Sequence, residues 1–476
     1  MKIKVEIHIK KDYAQLCMEY EGRIKGVSIM EMIEKRDLND RFIRLSPPQI
    51  LAIGFFALII VGGILLKLPI ATKTSISWVD AFFTATSAAT VTGLGVVDVN
   101  STFTIFGQVV IMLLIQTGGL GLMTIAILIV WVLGKKIGLR HRLLIGEALN
   151  QTNIGGLVKL VKRVFFFSIC IELVGVLFLS IRFVPEFGLG KGLYYSLFHV
   201  VAAYNNAGFA LWPDNLTRYV GDPIVNIGIC SLIVIGGLGF TVLIDIWYSR
   251  SFRKLALHSK IMIVGTIALS VFSMIVIFIL EYSNVETLGS LSLSEKLWAS
   301  FFQGITPRTA GFNTIDYGSM NESTLFFTMV LMFIGAGSVS TGGGIKLTTF
   351  VILITSVISF FKKKEDVVLF HRTIKMSTVM RALSIVIASQ FLIFVAVFVL
   401  MLTENFSFIE LLFETISAFG TVGLSMGITA DLSVFGKYVI MFVMFCGLIG
   451  PLTLVFSLAR PAKQKIRYPS EDVFTG

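Results

Sequence analysis

The chain has 476 residues, of which 55% are hydrophobic and only 14% charged, with a net charge of +11. A soluble domain carries about 25% charged residues, so the composition excludes one. Lys and Arg are bunched into a few stretches without interleaved aromatic stacking positions, which points to membrane topology and away from a nucleic-acid partner.

Residues 1–45 are mixed in charge and lack a cleavable apolar core, so they read as a cytosolic N-terminal tail and not as a signal peptide. An over-long gene start, with Met30 or Met32 as alternatives, explains them equally well. KIKVEIHIKK within this tail alternates like a strand. Apolar runs follow at 50–66, 109–133, 164–183 (interrupted by Glu172), 224–246, 261–280, 325–334 continued by 347–361, 383–402 and 438–458. Crossing a bilayer takes roughly 17–20 apolar residues, so the expected fold class is an all-α polytopic membrane protein with about eight spanning helices.

Five basic stretches, 1–45, 135–163, 250–260, 362–381 and 460–467, hold 31 of the 40 Lys and Arg residues. The positive-inside rule makes all five cytoplasmic, both termini included. The chain then makes four excursions across the bilayer of a cell membrane. Cys17, Cys170, Cys230 and Cys446 show no metal-ligand spacing and read as small hydrophobes.

Each excursion has the same order: a spanning helix, a short apolar segment, a polar stretch with glycine, then another spanning helix. The short segments are SWVDAFFTATSAA, GLYYSLFHVVAAY, KLWASFFQGIT and IELLFETISAF. At about 11–13 residues they are too short to span and read as re-entrant half-helices. Aligned behind them stand Thr90-Val91-Thr92-Gly93, Asn205-Asn206-Ala207-Gly208, Arg308-Thr309-Ala310-Gly311 and Gly420-Thr421-Val422-Gly423. Their glycines are 115, 103 and 112 residues apart. One such glycine is a helix-breaking turn; four in register are a repeat.

Irregular backbone at membrane depth is tolerated only where protein buries it or a watery cavity receives it. Four such stretches converging on one axis offer rings of backbone carbonyls that replace a cation's hydration shell. Half-helix C-termini aimed at the centre favour positive charge there. The expected organisation is therefore a tail (1–45), repeat 1 (46–134), a loop (135–162), repeat 2 (163–249), a loop (250–259), repeat 3 (260–361), a loop (362–379), repeat 4 (380–459) and a tail (460–476).

With TVTGLG, YNNAGF, PRTAGFNT and GTVGLS in place, and GGLG at 118–121 and 236–239, the chain resembles the Trk/Ktr/HKT superfamily of potassium transporters over roughly residues 45–460. It is most similar to the bacterial Ktr membrane subunits. The resemblance implies four repeats in pseudo-fourfold array around a K⁺ pore, with K⁺ held by the backbone carbonyls of the sixteen aligned residues. It further implies a homodimer and control by a cytosolic RCK/KTN ring of the KtrA/KtrC type. ATP or ADP binds that partner only, and dependence on Na⁺ is left open. In related plant members a serine at the first repeat's glycine position accompanies Na⁺ permeation; Gly93 stands there in this chain.

The second spanning helix of repeat 3 is interrupted by GAGSVSTGGG at 335–344, and each glycine in a helix interior is unfavourable by about 1 kcal/mol. By resemblance this is a gating loop beneath the filter, formed by Gly335, Gly337, Ser338, Ser340, Thr341, Gly342, Gly343, Gly344 and Lys346. Lys346 reads either as a barrier to cations or as half of a local pair with Asp245 or Glu172. One departure stands out. The family's GRxGPLT string appears as GLIGPLT, with Leu448 in the place of the arginine.

An enzyme is not expected. GGLGLM and GGLGF lie inside apparent spans with no preceding strand, TGGGIKLTT is not a phosphate-binding loop, and the five histidines are scattered. Glu172 and Asp245 stand alone on apolar helices; with no second carboxylate at i+3 or i+4 they read as partners of buried polar groups rather than as a proton relay. The competing class is a secondary transporter for another cation or a small solute, built on broken helices of inverted repeats. Four repeats that all begin and end in basic loops suit a pore better. Loops 135–163 and 250–260 are candidate docking surfaces for a regulatory partner or simply solvated topology signals.

Overall fold

The computed structural model describes residues 47–121, 124, 157–338, 340–450 and 471. The N-terminal tail with its alternating stretch, most of the loop at 135–162, the ends of two apolar runs and almost all of the C-terminal tail lie outside them.

Repeat 1 comprises α1 (Pro47–Lys67), α2 (Trp78–Ala89) and α3 (Ile105–Leu120). Repeat 2 comprises α4 (Leu157–Phe187), α5 (Leu189–Tyr204), α6 (Pro223–Leu238) and α7 (Phe240–Ser249). Repeat 3 comprises α8 (Leu257–Glu281), α9 (Leu293–Ile305), α10 (Glu322–Phe333) and α11 (Leu347–Phe361). Repeat 4 comprises α12 (Met376–Thr403), α13 (Phe408–Gly420) and α14 (Val434–Ile449). The loop before α12, read as plain connection, contains a hairpin of β1 (Val367–Leu369) and β2 (Arg372–Ile374). Phe370 and His371, at φ of 47° and 60°, make its two-residue turn.

The short helices start where their sequences say they must. Ser77 accepts the Asp80 N–H at 3.0 Å, and Ser292 with Glu295 and Ser407 with Glu410 form reciprocal capping boxes. Repeat 2 lacks that serine and starts at Gly188, with φ of 83°. Its short helix accordingly runs 16 residues, longer than the segment read from the sequence, against 12, 13 and 13 in the others.

The C-terminal end of each long first helix is tied to the start of the second spanning helix of its own repeat. Thr104 N–H donates to Ala71 O at 2.9 Å, Arg182 Nε to Asp222 at 2.5 Å, Asn321 N–H to Glu281 at 3.0 Å and Ser433 N–H to Glu404 at 3.0 Å. The four repeats thus share a hairpin frame despite different chemistry at each tie.

The GGLG strings correct one expectation: they end helices and do not lie inside them. α3 stops at Gly121, α6 at Gly239 and α14 at Gly450, with φ of 83°, 94° and 87°. At Gly239 the chain bends by 91° into α7. Three residues earlier in each repeat, a Cβ on Gly118, Gly236 or Gly447 would come within 2.2, 1.9 and 2.0 Å of Ala89 O, Tyr204 O and Phe419 O. Glycine lets each second helix lie directly on the carboxyl end of its repeat's short helix. In repeats 1, 2 and 4 the second helix thus ends at a positive-φ glycine, and in repeat 3 the corresponding helix is interrupted between Phe333 and Leu347.

The repeats close into a ring. α3 packs on α5, α6 on α9, α10 on α13 and α14 on α2, so each repeat's second helix meets the next repeat's short helix and the fourth returns to the first. Lys437 on α14 pairs with Asp80 on α2 at 3.0 Å across that last seam. Among the described residues four helices are long and apolar enough to cross a bilayer, Gln49–Lys67, Val161–Phe187, Leu257–Glu281 and Met376–Thr403, with α6 and α7 as a bent fifth. Their outward faces expose Leu173, Leu177 and Ile181, Ile267, Ile275 and Ile279, and Phe391, Phe394 and Phe398. Rows of large apolar side chains facing outward suit a lipid solvent. The chain is an integral membrane protein.

Candidate functional site

The four aligned glycines meet at one point. A Cβ on Gly93 would sit 2.5 Å from Ala207 O, on Gly208 3.1 Å from Ala310 O, on Gly311 2.2 Å from Val422 O and on Gly423 2.1 Å from Thr92 O. Each glycine is thus covered by the carbonyl before the glycine of the following repeat, and the cycle closes. Any larger residue would push two strands apart.

Their backbone is in register too. The glycines have φ of 96°, 67°, 74° and 90°, and two residues earlier Val91, Asn206, Thr309 and Thr421 are left-handed at 56°, 58°, 69° and 48°. A non-glycine residue there costs of order 1–3 kcal/mol and persists only where its surroundings over-determine it. Four occurrences at one repeat position mark the strand as a built feature. Among the described residues no group of three His, Cys, Asp or Glu side chains could hold a metal ion.

Each strand is pinned to the short helix before it. Thr92 N–H donates to Ser87 O at 2.8 Å, Ala207 N–H to Ala202 O at 2.7 Å, Ala310 N–H to Thr306 O at 3.0 Å and Val422 N–H to Ser417 O at 2.8 Å. Ser87 and Ser417 add their hydroxyls, which accept from Gly93 N–H at 3.0 Å and Gly423 N–H at 3.1 Å. Thr90 and Thr92 hydroxyls lie 2.8 Å apart.

The Asn205 amide turns to a buried network, donating to Gln116 Oε1 at 2.7 Å, while Gln116 Nε2 donates to Glu172 at 2.9 Å. Glu172 therefore partners buried polar groups of α3 and of the strand itself. Arg308 is buried and makes no ion pair among the described residues.

Directly beneath lies the interrupted segment of repeat 3. Gly343 N–H donates to Thr421 Oγ1 at 2.8 Å, and Gly342 packs against the Thr309 hydroxyl so closely that a Cβ would lie 2.1 Å from it. Gly344 lies against Gly420, where a Cβ would approach Cα to 3.2 Å. The other flank is held by Gly337 N–H, which donates to Gly237 O at 2.8 Å, and by a bridge between Ile334 and Ile345. Ser340 donates to Gly337 O at 2.7 Å and Ser338 pairs with Thr348 at 3.2 Å; Thr341 is buried and Gly335 packs on Gly343 O.

Lys346 Nζ turns back on this loop, donating to Gly342 O at 2.5 Å and Gly343 O at 3.3 Å. It pairs with neither candidate carboxylate. Asp245 instead accepts from Ser249, Ser259 and Ala256 N–H. Leu448 is half-buried on the last turn of α14, two residues before the Gly450 break.

Above the glycines a cavity of about 630 Å³ opens, lined by all four of them and by Asp98, Asp214 and Asp316. Arg218 donates to both oxygens of Asp214, at 2.7 and 3.1 Å, and holds that carboxyl below the usual carboxylate range. Asp98 and Asp316 cap short turns through Ser101 N–H and Gly318 N–H. Negative charge at the mouth of a narrow path concentrates cations.

The TrkH family profile, described as a cation transport protein, matches residues 35–467. The chain belongs to this family. It is 56% identical to the Ktr system potassium uptake protein B of Bacillus subtilis, over 94% of this chain and all of that one. It is 44% identical to the Ktr system potassium uptake protein B of Vibrio alginolyticus, over 90% of this chain and 95% of the relative. Identity with the potassium/sodium uptake protein NtpJ of Enterococcus hirae is 42%, over 91% and 98%. These relatives are named as transport proteins and not as enzymes. The crystal structure of the potassium transporter TrkH from Vibrio parahaemolyticus superposes with a TM-score of 0.69 at 18% identity, covering 88% of this chain and 86% of that one. The TrkH likeness establishes the four-repeat pore fold.

Proposed function

We propose that this TrkH-family chain is the ion-translocating subunit of a K⁺ uptake system. The observation that carries the reading is the closed ring of Gly93, Gly208, Gly311 and Gly423, each seated on a carbonyl of the next repeat. A dehydrated K⁺ on that axis takes its oxygens from the strands 90–93, 205–208, 308–311 and 420–423. The loop 335–346 lies across the path beneath and gates it. Lys346 serves that gate by stitching the loop into a compact shape, and its charge adds a barrier to cations. Domain borders follow the repeats named above, in the cell membrane with both termini cytoplasmic.

The partners in this reading are a second copy of the chain and a cytosolic RCK/KTN ring that binds ATP or ADP and releases the loop. Parallel repeats closing into one ring favour this pore over a solute carrier built on inverted repeats. The test is K⁺-limited growth of a transport-deficient bacterium. The chain with an RCK-type partner restores growth, whereas Gly423→Ala, whose Cβ meets Thr92 O at 2.1 Å, does not. A correctly inserted, partnered wild type that leaves growth unrestored contradicts the proposal.

A further inference from the structure

Behind the ring, three of the four short helices send a buried polar side chain to the segment that leaves it. On α5, His199 stacks on Trp212 at 4.2 Å; its Nδ1 donates to Tyr195 O at 2.7 Å, and its Nε2 accepts the Leu211 N–H at 3.3 Å. On α9, the Gln303 amide, oriented to satisfy its neighbours, accepts from Thr314 and Ile315 N–H at 3.1 Å and donates to Tyr317 at 2.6 Å. On α13, Glu414 accepts from the Thr429 hydroxyl at 2.5 Å, which lies 3.0 Å from Ser425.

These bonds occupy matching places. His199 and Glu414 stand nine residues before their glycines and Gln303 eight before its own. Leu211 and Thr314 both lie three residues after a glycine, and Tyr317 and Thr429 both six after. In repeat 1 the corresponding Thr84 spends its hydroxyl on Asp80 O, inside its own helix, at 2.8 Å. Repeat 1 therefore has no strut from this position.

We propose that His199, Gln303 and Glu414 are positioning residues for ion discrimination, with Glu414 the most consequential. The inference rests on the ring being a K⁺ filter. Carbonyl rings tell K⁺ from Na⁺ only while their oxygens keep their spacing and number. A strand pinned at its helix end alone can sag toward a smaller ion. A strut beyond the glycine fixes the other end. Glu414 is fully buried, and its Oε2 has no hydrogen-bond partner among the described residues, so the Thr429 bond, with Ser425 beside it, orients this carboxyl group toward the exit segment.

The test is K⁺ and Na⁺ flux into proteoliposomes holding the full chain with its regulatory partner. Glu414→Ala and Thr429→Val each lower the K⁺-over-Na⁺ preference about tenfold, the size of one buried hydrogen bond, while saturating K⁺ flux persists. The double variant is no worse than either single one, because both remove the same bond. Glu414→Gln keeps an acceptor oxygen and stays near wild type, and Thr84→Val changes nothing. If Glu414→Ala does not fold, Thr429→Val carries the test. Unchanged preference in Thr429→Val overturns the inference, as does a Glu414→Gln variant as damaged as Thr429→Val. A wild type that does not prefer K⁺ contradicts the filter reading instead, so the two failures are distinguishable.

Discussion

Gly343 donates its N–H to the hydroxyl of Thr421 at 2.8 Å, so the intramembrane loop of the third repeat hangs from the ring strand of the fourth. Residues 78 positions apart thereby couple the ring to the interrupted segment of repeat 3. Lys346 completes the latch from the other side by holding the carbonyls of Gly342 and Gly343.

Loosening this latch is expected to open the path. Thr421→Val keeps the side-chain shape and removes the acceptor; Lys346→Met keeps length and removes the donor. Each is worth about one hydrogen bond, so each raises K⁺ flux without the regulatory partner by roughly five- to tenfold. Shortening 336–344 raises it further. Proteoliposome flux without partner measures all three, and unchanged flux in every variant means the loop is not a gate.

Glu172 is 8% exposed and receives the Gln116 amide, which in turn receives Asn205. Glu172→Ala strands a buried donor and is expected to destabilise the protein by about 1–3 kcal/mol. Glu172→Gln keeps an acceptor oxygen and loses less. Thermal unfolding in detergent ranks the three proteins, and equal midpoints contradict the network.

Much of this arrangement was legible in the chain and some was not. The four glycines could be read because each follows a short amphipathic segment at a constant offset, and glycine alone tolerates a neighbouring carbonyl in its Cβ space. The loop at 335–344 could be read because its glycines defeat a helix. The breaks at Gly121, Gly239 and Gly450 were misread as helix interior. Three residues before each break, Gly118, Gly236 and Gly447 lie on the carbonyls of Ala89, Tyr204 and Phe419, a long-range contact that no local periodicity records. The partners of Glu172 and the Lys437–Asp80 pair were hidden for the same reason, since the paired residues lie 56 and 357 positions apart. The Ser-x-x-Asp/Glu starts of α2, α9 and α13 were visible and would have placed those helices more sharply.

The carboxylates of the upper cavity act at a distance. Asp98→Asn with Asp316→Asn keeps both turn caps and removes two negative charges from the mouth. K⁺ uptake at low K⁺ is expected to lie several-fold below wild type at low ionic strength, and the gap is expected to close near 0.15 M salt, where the screening length is about 8 Å and the wild type's advantage is lost. Asp214 behaves differently under acid. Arg218 depresses its carboxyl, so the pair's contribution is present above the ordinary carboxylate value and is lost only as pH falls through the depressed one. Initial rates against salt and pH check both; a salt-independent deficit in the double variant points to misfolding and not to lost attraction.

The central claim is that a cation sits where the four strands meet. Crystals of the protein soaked in Rb⁺, with anomalous scattering recorded at the Rb edge, locate that ion directly. The account predicts a peak on the axis enclosed by the carbonyls of Thr92, Ala207, Ala310 and Val422. An empty axis, with Rb⁺ bound elsewhere among the helices, would contradict it.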